Sequence, residues 1–185
     1  MPRKKEYIEE EVIKKALALF WVKGFEMTSM EMLEREMGIN KFSIYSSFGS
    51  KEGLYLECIK FYRKETAAML NKLKTSNNGV LGIKQYFYDY MAFTREGIYC
   101  KGCFMVNTTD ELGEKIGPNV QGVIGGLMQE ITELFMNNLK QDVDTDSIAK
   151  QVEYLIMSKI AMVTVSKMFT ENQMNNYIEN IFKNI

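Results

Sequence analysis

Apolar residues recur every three or four positions along nearly the whole chain, which is the period of amphipathic α-helices. The first stripe runs from Tyr7 to about Lys23 and stops at Gly24. No run of alternating apolar and polar residues and no internal repeat competes with this pattern, so the expected fold class is all-α. The stripes predict nine helices, over residues 7–23, 29–37, 41–48, 50–74, 80–95, 103–114, 118–139, 146–169 and 171–185.

Capping residues stand at the ends of the first four helices. Thr28 and Glu31 fit a capping box, in which each side chain bonds the backbone amide of the other. Gly38 is placed to end the second helix in the left-handed conformation. Asn40 and Ser50 are placed to cap the third and fourth helices.

Two short helices joined by a glycine turn have the geometry of a helix-turn-helix, whose second helix enters the major groove of DNA. Here that second helix would expose a cation, hydroxyl groups and aromatic rings, which suit contacts with phosphates, base edges and thymine methyl groups. The alternative is a solvated helix in an ordinary bundle, because short amphipathic helices are common. The exposed set consists of Lys41, Phe42, Ser43, Tyr45, Ser46 and Ser47.

Charge is distributed unevenly along the chain. The formal net charge of the 185 residues is −1, so a surface for DNA must concentrate positive charge locally. Residues 37–51 hold Lys41 and Lys51 and no carboxylate, whereas residues 6–36 hold eight carboxylates against four bases. The distribution therefore allows nucleic-acid binding at the third predicted helix.

Other classes of protein are disfavoured by what the chain lacks. No stretch is apolar enough for a membrane span, the basic N-terminus is not followed by the apolar segment of a signal peptide, and three cysteines do not make a secreted disulfide framework, so we expect a cytoplasmic protein. The chain has no histidine, phosphate-binding loop or nucleophile elbow. The glycines of Gly122–Gly126 lie in a helical pattern without a preceding strand. We therefore expect no enzyme, catalytic residue, metal site or cofactor.

Four segments, in order, are similar to the DNA-binding domain of the TetR/AcrR family of transcriptional regulators. They are Val12–Phe20, Gly24–Phe25, Thr28–Met30 and Gly38–Leu54. The resemblance implies an N-terminal helix-turn-helix domain of residues 1–50, a connecting fourth helix to about residue 74, and a helical regulatory, ligand-binding and dimerisation domain of residues 75–185. It also implies a regulator of transcription, by family default a repressor.

The resemblance assigns roles to residues of the predicted helix-turn-helix. Tyr45 and Lys51 match positions that hold the DNA backbone, and the N-terminus of the second helix approaches phosphate. Lys41, Phe42 and Ser43 match positions that touch bases. The DNA contacts expected in full are Thr28, Ser29, Lys41, Phe42, Ser43, Tyr45, Ser46 and Lys51.

Two residues depart from the family pattern. Glu34 occupies a position that is usually alanine, where the second and third helices pack closely, so its carboxylate must reach outward or pair with a base. Phe42 occupies a position where a small residue is common. Its ring either meets a thymine methyl group or folds back into the core, so the operator sequence cannot be carried over from relatives.

The last two predicted helices carry more apolar surface than one small domain needs to cover. In the resembling family these helices form a four-helix interface with those of a second copy, and a dimer would read two half-sites of a palindromic operator. The alternative is that they complete the core of the monomer. The expected seam residues of the homodimer are Ile156, Ile160, Val163, Ile178, Ile181 and Phe182.

The middle helices are rich in methionine and aromatic residues, a composition that suits both small-molecule cavities and ordinary cores. Spacing alone does not separate the two. The resemblance implies a regulatory cavity and a small apolar or aromatic effector, which releases DNA if it binds the DNA-free conformation better. The candidate lining residues are Phe87, Tyr88, Met91, Phe104, Met105, Asn107, Thr108, Met128 and Met157.

Cys100 and Cys103 have the spacing of a redox pair or of half a metal site, with Lys101 between them. Because the chain has no histidine and only Cys58 besides, a four-ligand zinc site within one subunit is not expected. A thiol-sensing regulator and a helical interaction module without DNA binding are the two alternatives to a ligand-responsive repressor.

Overall fold

The computed structural model describes residues 7–96, 102–142, 144–183 and 185, and all of their regular structure is helical. The expected all-α class is confirmed. The helices are α1 (Glu9–Lys23), α2 (Met30–Met37), α3 (Lys41–Phe48), α4 (Lys51–Ser76), α5 (Gly79–Phe93), α6 (Phe104–Leu112), α7 (Pro118–Leu139), α8 (Thr145–Val165) and α9 (Glu171–Ile181), and a short 3-10 turn (Gly113–Lys115) follows α6.

The predicted helix ends were most accurate where a chemical marker stands at the end. α3 and α7 have the predicted bounds, with the Asn40 side chain accepting from the Ser43 amide over 2.8 Å and a proline opening α7. α8 stops at Val165, before the end of its apolar stripe. There the Arg95 guanidinium donates to the carbonyl oxygens of Ser166 and Phe169, which replaces continuing helical bonds.

The chain forms two compact units that do not follow chain order. The first holds the described residues up to Glu65 together with Asn107–Val123, and the second holds those of Thr66–Val106 and Ile124–Ile185. α4, α6 and α7 therefore each contribute to both units. The predicted domains of residues 1–50 and 75–185 were drawn from the sequence pattern, and their boundaries stay a prediction.

The first unit is built around the apolar faces of α1 to α4. Phe20, Leu33, Ile44 and Leu54 are almost completely buried there, as their spacing predicted. The end of α6 packs into the same unit through a buried hydrogen bond of 2.8 Å between the Tyr55 and Thr108 hydroxyl groups.

The second unit has an aromatic core. Phe87 stacks on Phe135 with ring centroids 6.1 Å apart and meets Phe182 edge-on at 5.1 Å. Leu155 and Ile178 are fully buried in the same unit. In the parts of the chain that the structure describes, no helix is long and apolar enough to cross a bilayer.

Candidate nucleic-acid interface

The turn between α1 and α2 is fixed by hydrogen bonds to its backbone. Gly24 ends α1 with a φ of 82°, in the region that favours glycine. The Glu111 carboxylate accepts from the backbone amides of Phe25 and Glu26, both over 2.9 Å. The Thr28 hydroxyl donates to the Gly24 carbonyl oxygen over 2.6 Å. The loop that leads into α2 therefore has little freedom.

Thr28 requires a correction. Its side chain is only 1% exposed and its hydroxyl is bonded backward to Gly24, so it neither caps α2 nor offers a surface for DNA. The cap is Ser29, whose hydroxyl accepts from the Met32 amide over 3.2 Å. The predicted capping box was one residue early, because two adjacent hydroxyl residues offered two possible caps and the turn engages the first of them.

The turn between α2 and α3 confirms the expected glycine. Gly38 adopts the left-handed conformation, with φ 71° and ψ 23°. The half-buried Glu34 carboxylate accepts from the backbone amide of Lys41 over 3.1 Å. Glu34 was predicted to reach outward or to pair with a base, but it bonds the first turn of α3 instead, which satisfies an amide that the helix leaves without a partner.

α3 presents a defined outer face, formed by Phe42, Tyr45 and Ser46. Tyr45 and Ser46 each lie about one turn beyond Phe42, and all three are exposed, with Phe42 81% exposed. Phe42 thus points to solvent and does not fold back. Ser43 is half-buried. Ser47 is also half-buried, and its hydroxyl lies 2.5 Å from that of Tyr7.

Lys41 is partly neutralised by Glu31, a contact that the sequence did not indicate. Its ammonium lies 3.2 Å from the Glu31 carboxylate, and both side chains are exposed. The backbone amide of Glu31, the Ser29 hydroxyl and Lys41 together lower the pKa of Glu31 to about 2, and the bond to Glu31 raises the pKa of Lys41. The pair spans ten positions and needs the turn between the helices, so no spacing rule could reveal it.

Lys51 stands at the first position of α4, which Ser50 caps as predicted by accepting from the Gly53 amide over 3.0 Å. The Lys51 ammonium lies 4.3 Å from the centroid of the Phe25 ring, a cation–π contact. Its side chain is half-buried rather than extended into solvent. The cation is therefore held against the turn that precedes α2.

The candidate effector residues fall into three groups. Phe87, Met91, Phe104 and Met105 are buried in the second unit. Asn107 and Thr108 belong to the first unit instead. Tyr88 and Met128 are half-buried, and Met157 is 68% exposed. Met157 was wrongly assigned to an interior lining, because the spacing of a helix does not tell which of its stripes faces inward.

Tyr86 and Tyr88 border a groove of about 430 Å³ in the second unit. Ion pairs line it, with the Lys72 ammonium 2.6 Å from the Asp89 carboxylate. The Tyr88 hydroxyl donates to Glu179 over 2.6 Å. The groove is thus more polar than the predicted lining. The remaining lining residues are Met69, Leu73, Ser76, Asn78, Leu81, Gly82, Lys84 and Gln85.

The predicted dimer seam also requires a correction. Val163, Ile178, Ile181 and Phe182 are at most 9% exposed in the single chain, so they belong to its own core. Ile156 and Ile160 are half-buried. Four exposed, uncharged residues of α8 form a different stripe at three- and four-residue spacing, made of Tyr154, Met157, Ala161 and Thr164.

The cysteine hypothesis is tested only in part. Cys103 and Cys58 are buried, and burial raises the pKa of the Cys58 thiol well above its usual range. Cys100 lies outside the described residues, so the pair with Cys103 stays a prediction. Among the described residues there is no cluster of three groups that could hold a metal ion.

Known proteins resemble the chain at both the sequence and the fold level. Residues 12–58 match the family described as bacterial regulatory proteins, tetR family. The chain is 24% identical over 178 residues, 90% of each sequence, to the HTH-type transcriptional regulator YezE of Bacillus subtilis. It is 25% identical over 130 residues, 69% of each sequence, to IcaR of Staphylococcus aureus, a negative transcriptional regulator of a biofilm operon.

Solved structures of TetR-family regulators share the fold. CifR in complex with 26 bp double-strand operator DNA superposes with a TM-score of 0.83 at 19% identity, covering 98% of both chains. A regulator from Streptomyces coelicolor superposes with a TM-score of 0.81 at 16% identity, covering 95% of this chain and 88% of that one. Both likenesses extend over nearly the full length.

Proposed function

We propose that this chain, a DNA-binding transcriptional regulator of the tetR family, acts as a homodimeric repressor that a small apolar or aromatic molecule releases from a palindromic operator. One observation carries the DNA-binding part. The outer face of α3 stands exposed beside the N-terminus of α2 and the first residue of α4. This arrangement gives one helix for the major groove, flanked by groups that suit phosphates.

The chemistry of each position assigns its contact. In the proposed complex, α3 is the recognition helix, and Phe42 and Tyr45 offer ring edges to bases and thymine methyl groups. The Ser29 end of α2 carries the partial positive charge of a helix N-terminus, which favours a phosphate. Lys51 binds the DNA backbone from the start of α4. Lys41 reaches a base once it leaves Glu31.

Repression is supported by the relatives. IcaR is described as a negative regulator, and CifR was solved on operator DNA. A repressor needs only to occupy its site and therefore requires no activating surface. The second unit has an aromatic core around Phe87 and Phe135, which suits the burial of a small apolar effector.

The homodimer rests on the exposed stripe of α8 together with Tyr177 of α9. Met157 is 68% exposed and Tyr154 is 47% exposed, which is unusual for such side chains on one helix face. Burial and the nearby Tyr154 raise the pKa of Tyr177 while Ser158 opposes them, so Tyr177 of α9 lies close to this part of α8. Two copies that pair these faces would bury both stripes and bring two recognition helices to one operator.

The direct experiment is selection from a pool of random-sequence duplexes with the purified full-length chain. We expect enrichment of an inverted repeat whose half-site centres are about 10 base pairs, or a multiple of that, apart. Transcription in vitro from a promoter that carries the selected duplex should then fall when the protein is added. Absence of enrichment contradicts DNA binding and favours the interaction module, while a rise in transcription contradicts repression.

A further inference from the structure

Lys159 is a buried lysine in the second unit. It lies in the middle of α8, its residue is only 4% exposed, and its ammonium lies 4.3 Å from the centroid of the Tyr90 ring. Lysine side chains usually keep the ammonium in water even when their stem is buried. Lys159 therefore holds a cation in a place where a cation is costly.

In the part of the chain that the structure describes, the Lys159 charge has little compensation. Among the described residues no carboxylate pairs with Lys159, and the Tyr90 ring face accepts the charge without accepting its three N–H donors in ordinary hydrogen bonds. Burial lowers the pKa of Lys159, and the nearby Cys103 thiol opposes that effect. An anionic ligand would therefore bind more strongly to Lys159 than to a lysine on the surface.

A second cation lies along the same helix. The Arg95 guanidinium donates to the Ser166 carbonyl oxygen over 2.9 Å, while its Nε is buried and has no acceptor among the residues that the structure describes. Lys159 and Ser166 are seven residues apart, hence on one face of α8 and about 10 Å apart along its axis. Two positive groups therefore lie along this side of α8.

The surroundings of Lys159 are aromatic. The rings of Tyr86 and Tyr90 are 5.8 Å apart, and Tyr86 meets Phe135 edge-on at 5.7 Å. Burial raises the pKa of Tyr86, and the nearby Cys103 and Glu130 add to this effect. A ligand with a flat ring and one anionic group matches both properties of this region.

We propose that Lys159 is the anchoring group of the effector site, and that the effector is a small aromatic carboxylic acid bound as its anion. The carboxylate pairs with the Lys159 ammonium, and the ring packs among Tyr86, Tyr90 and Phe135. The regulatory consequence rests on the proposed function, whereas the binding site does not. Because binding supplies the missing counter-charge, the ligand stabilises the conformation in which Lys159 is buried.

The test compares a matched acid and amide, 2-naphthoate and 2-naphthamide, by calorimetry and thermal unfolding of the full-length chain. We expect 2-naphthoate to bind and raise Tm, and 2-naphthamide to bind between about ten-fold and a hundred-fold more weakly. Lys159→Met should remove this preference for the acid. Lys150→Met is the control, because Lys150 lies on the same helix and is exposed, and it should keep the preference.

Equal binding of the acid and the amide by the natural chain overturns the proposal, and so does no binding of either; these two results need no variant to fold. A preference for the acid that survives Lys159→Met also overturns it. Operator binding is measured in parallel without any ligand. If the ligand-free chain does not bind operator DNA, the proposed function is contradicted but the proposed ligand site is not. If 2-naphthoate binds through Lys159 without weakening operator binding, the proposed role of this site in releasing DNA is overturned.

Discussion

Three carboxylates hold the proposed DNA surface in shape. Glu34 bonds the Lys41 amide and Glu111 bonds the amides of Phe25 and Glu26, while Glu31 occupies the first turn of α2 and holds the Lys41 ammonium. Local charge counts had suggested only that acidic residues crowd the N-terminal helices. The structure shows that these three are bound to backbone amides or to a lysine, so their negative charge is partly compensated.

Glu31→Gln should strengthen binding to duplex DNA. The substitution frees Lys41 from its ion pair and removes a negative charge near the proposed phosphate contacts, so we expect about a two- to five-fold higher affinity. Glu36→Gln is the control, since Glu36 is exposed on the same helix. Fluorescence anisotropy with a labelled duplex measures both. A weaker complex for Glu31→Gln than for the control contradicts the pairing of Glu31 with Lys41 in the free protein.

Lys159 predicts a pH dependence of stability. Its folded pKa is below the ordinary value of 10.5, so between these two pKa values the unfolded chain binds more protons, and stability from this group rises with pH. Lys159→Met lacks this effect. The difference in unfolding free energy between Lys159→Met and the natural chain should therefore be largest near neutrality and narrow as pH approaches 10.5. Urea unfolding at several pH values measures it, and a constant difference contradicts a buried charge.

At the scale of helices, sequence markers and apolar periodicity differ in what they can predict. Asn40, Gly38 and Pro118 placed helix ends accurately, because each residue type satisfies one backbone requirement. Apolar periodicity predicted where the helices lie, but it did not predict which stripe of each helix faces the core. Val163 and Ile178 face their own core, whereas Met157 faces outward, since that choice depends on which neighbour each helix packs against.

The glycine that ends α2 gives a prediction for this scale. Gly38→Ala should lower the unfolding free energy by about 1 kcal/mol, because the left-handed backbone disfavours a Cβ even though nothing crowds it there. Gly125→Ala in the interior of α7 has similar open space without a positive φ, so it should raise stability by about 0.5 to 1 kcal/mol. Urea unfolding of both variants checks the opposite signs, and a shift in the same direction contradicts the account.

At the scale of the whole molecule, the proposed dimer was the least accessible to sequence reasoning. Four of the six residues named for the seam, Val163, Ile178, Ile181 and Phe182, belong to the chain's own core, and Ile156 and Ile160 are half-buried. The exposed stripe around Tyr154 and Met157 is short and mixes apolar with small polar residues. Such a pattern becomes visible only when the core residues of the same helix have been identified.

Met157→Glu should separate the proposed dimer into monomers, because pairing two copies would bury this charge beside its own symmetry mate. Leu81→Glu provides the matched control, since Leu81 is 65% exposed on α5 and outside the stripe. Sedimentation velocity at micromolar concentration distinguishes the species. A Met157→Glu chain that sediments like the natural dimer, or a natural chain that is monomeric, contradicts the α8 interface.

The salt dependence of operator binding tests the central claim most directly, namely that the surface from Ser29 to Lys51 lies against duplex DNA. Anisotropy would be measured over a range of salt concentrations for the natural chain, Lys51→Ala and Lys41→Ala. Lys51→Ala should weaken binding to all duplexes alike and reduce the slope of log K against log salt by about one unit per contact, and Lys41→Ala should change the preferred sequence. Natural affinity, slope and sequence preference in both variants would contradict the account.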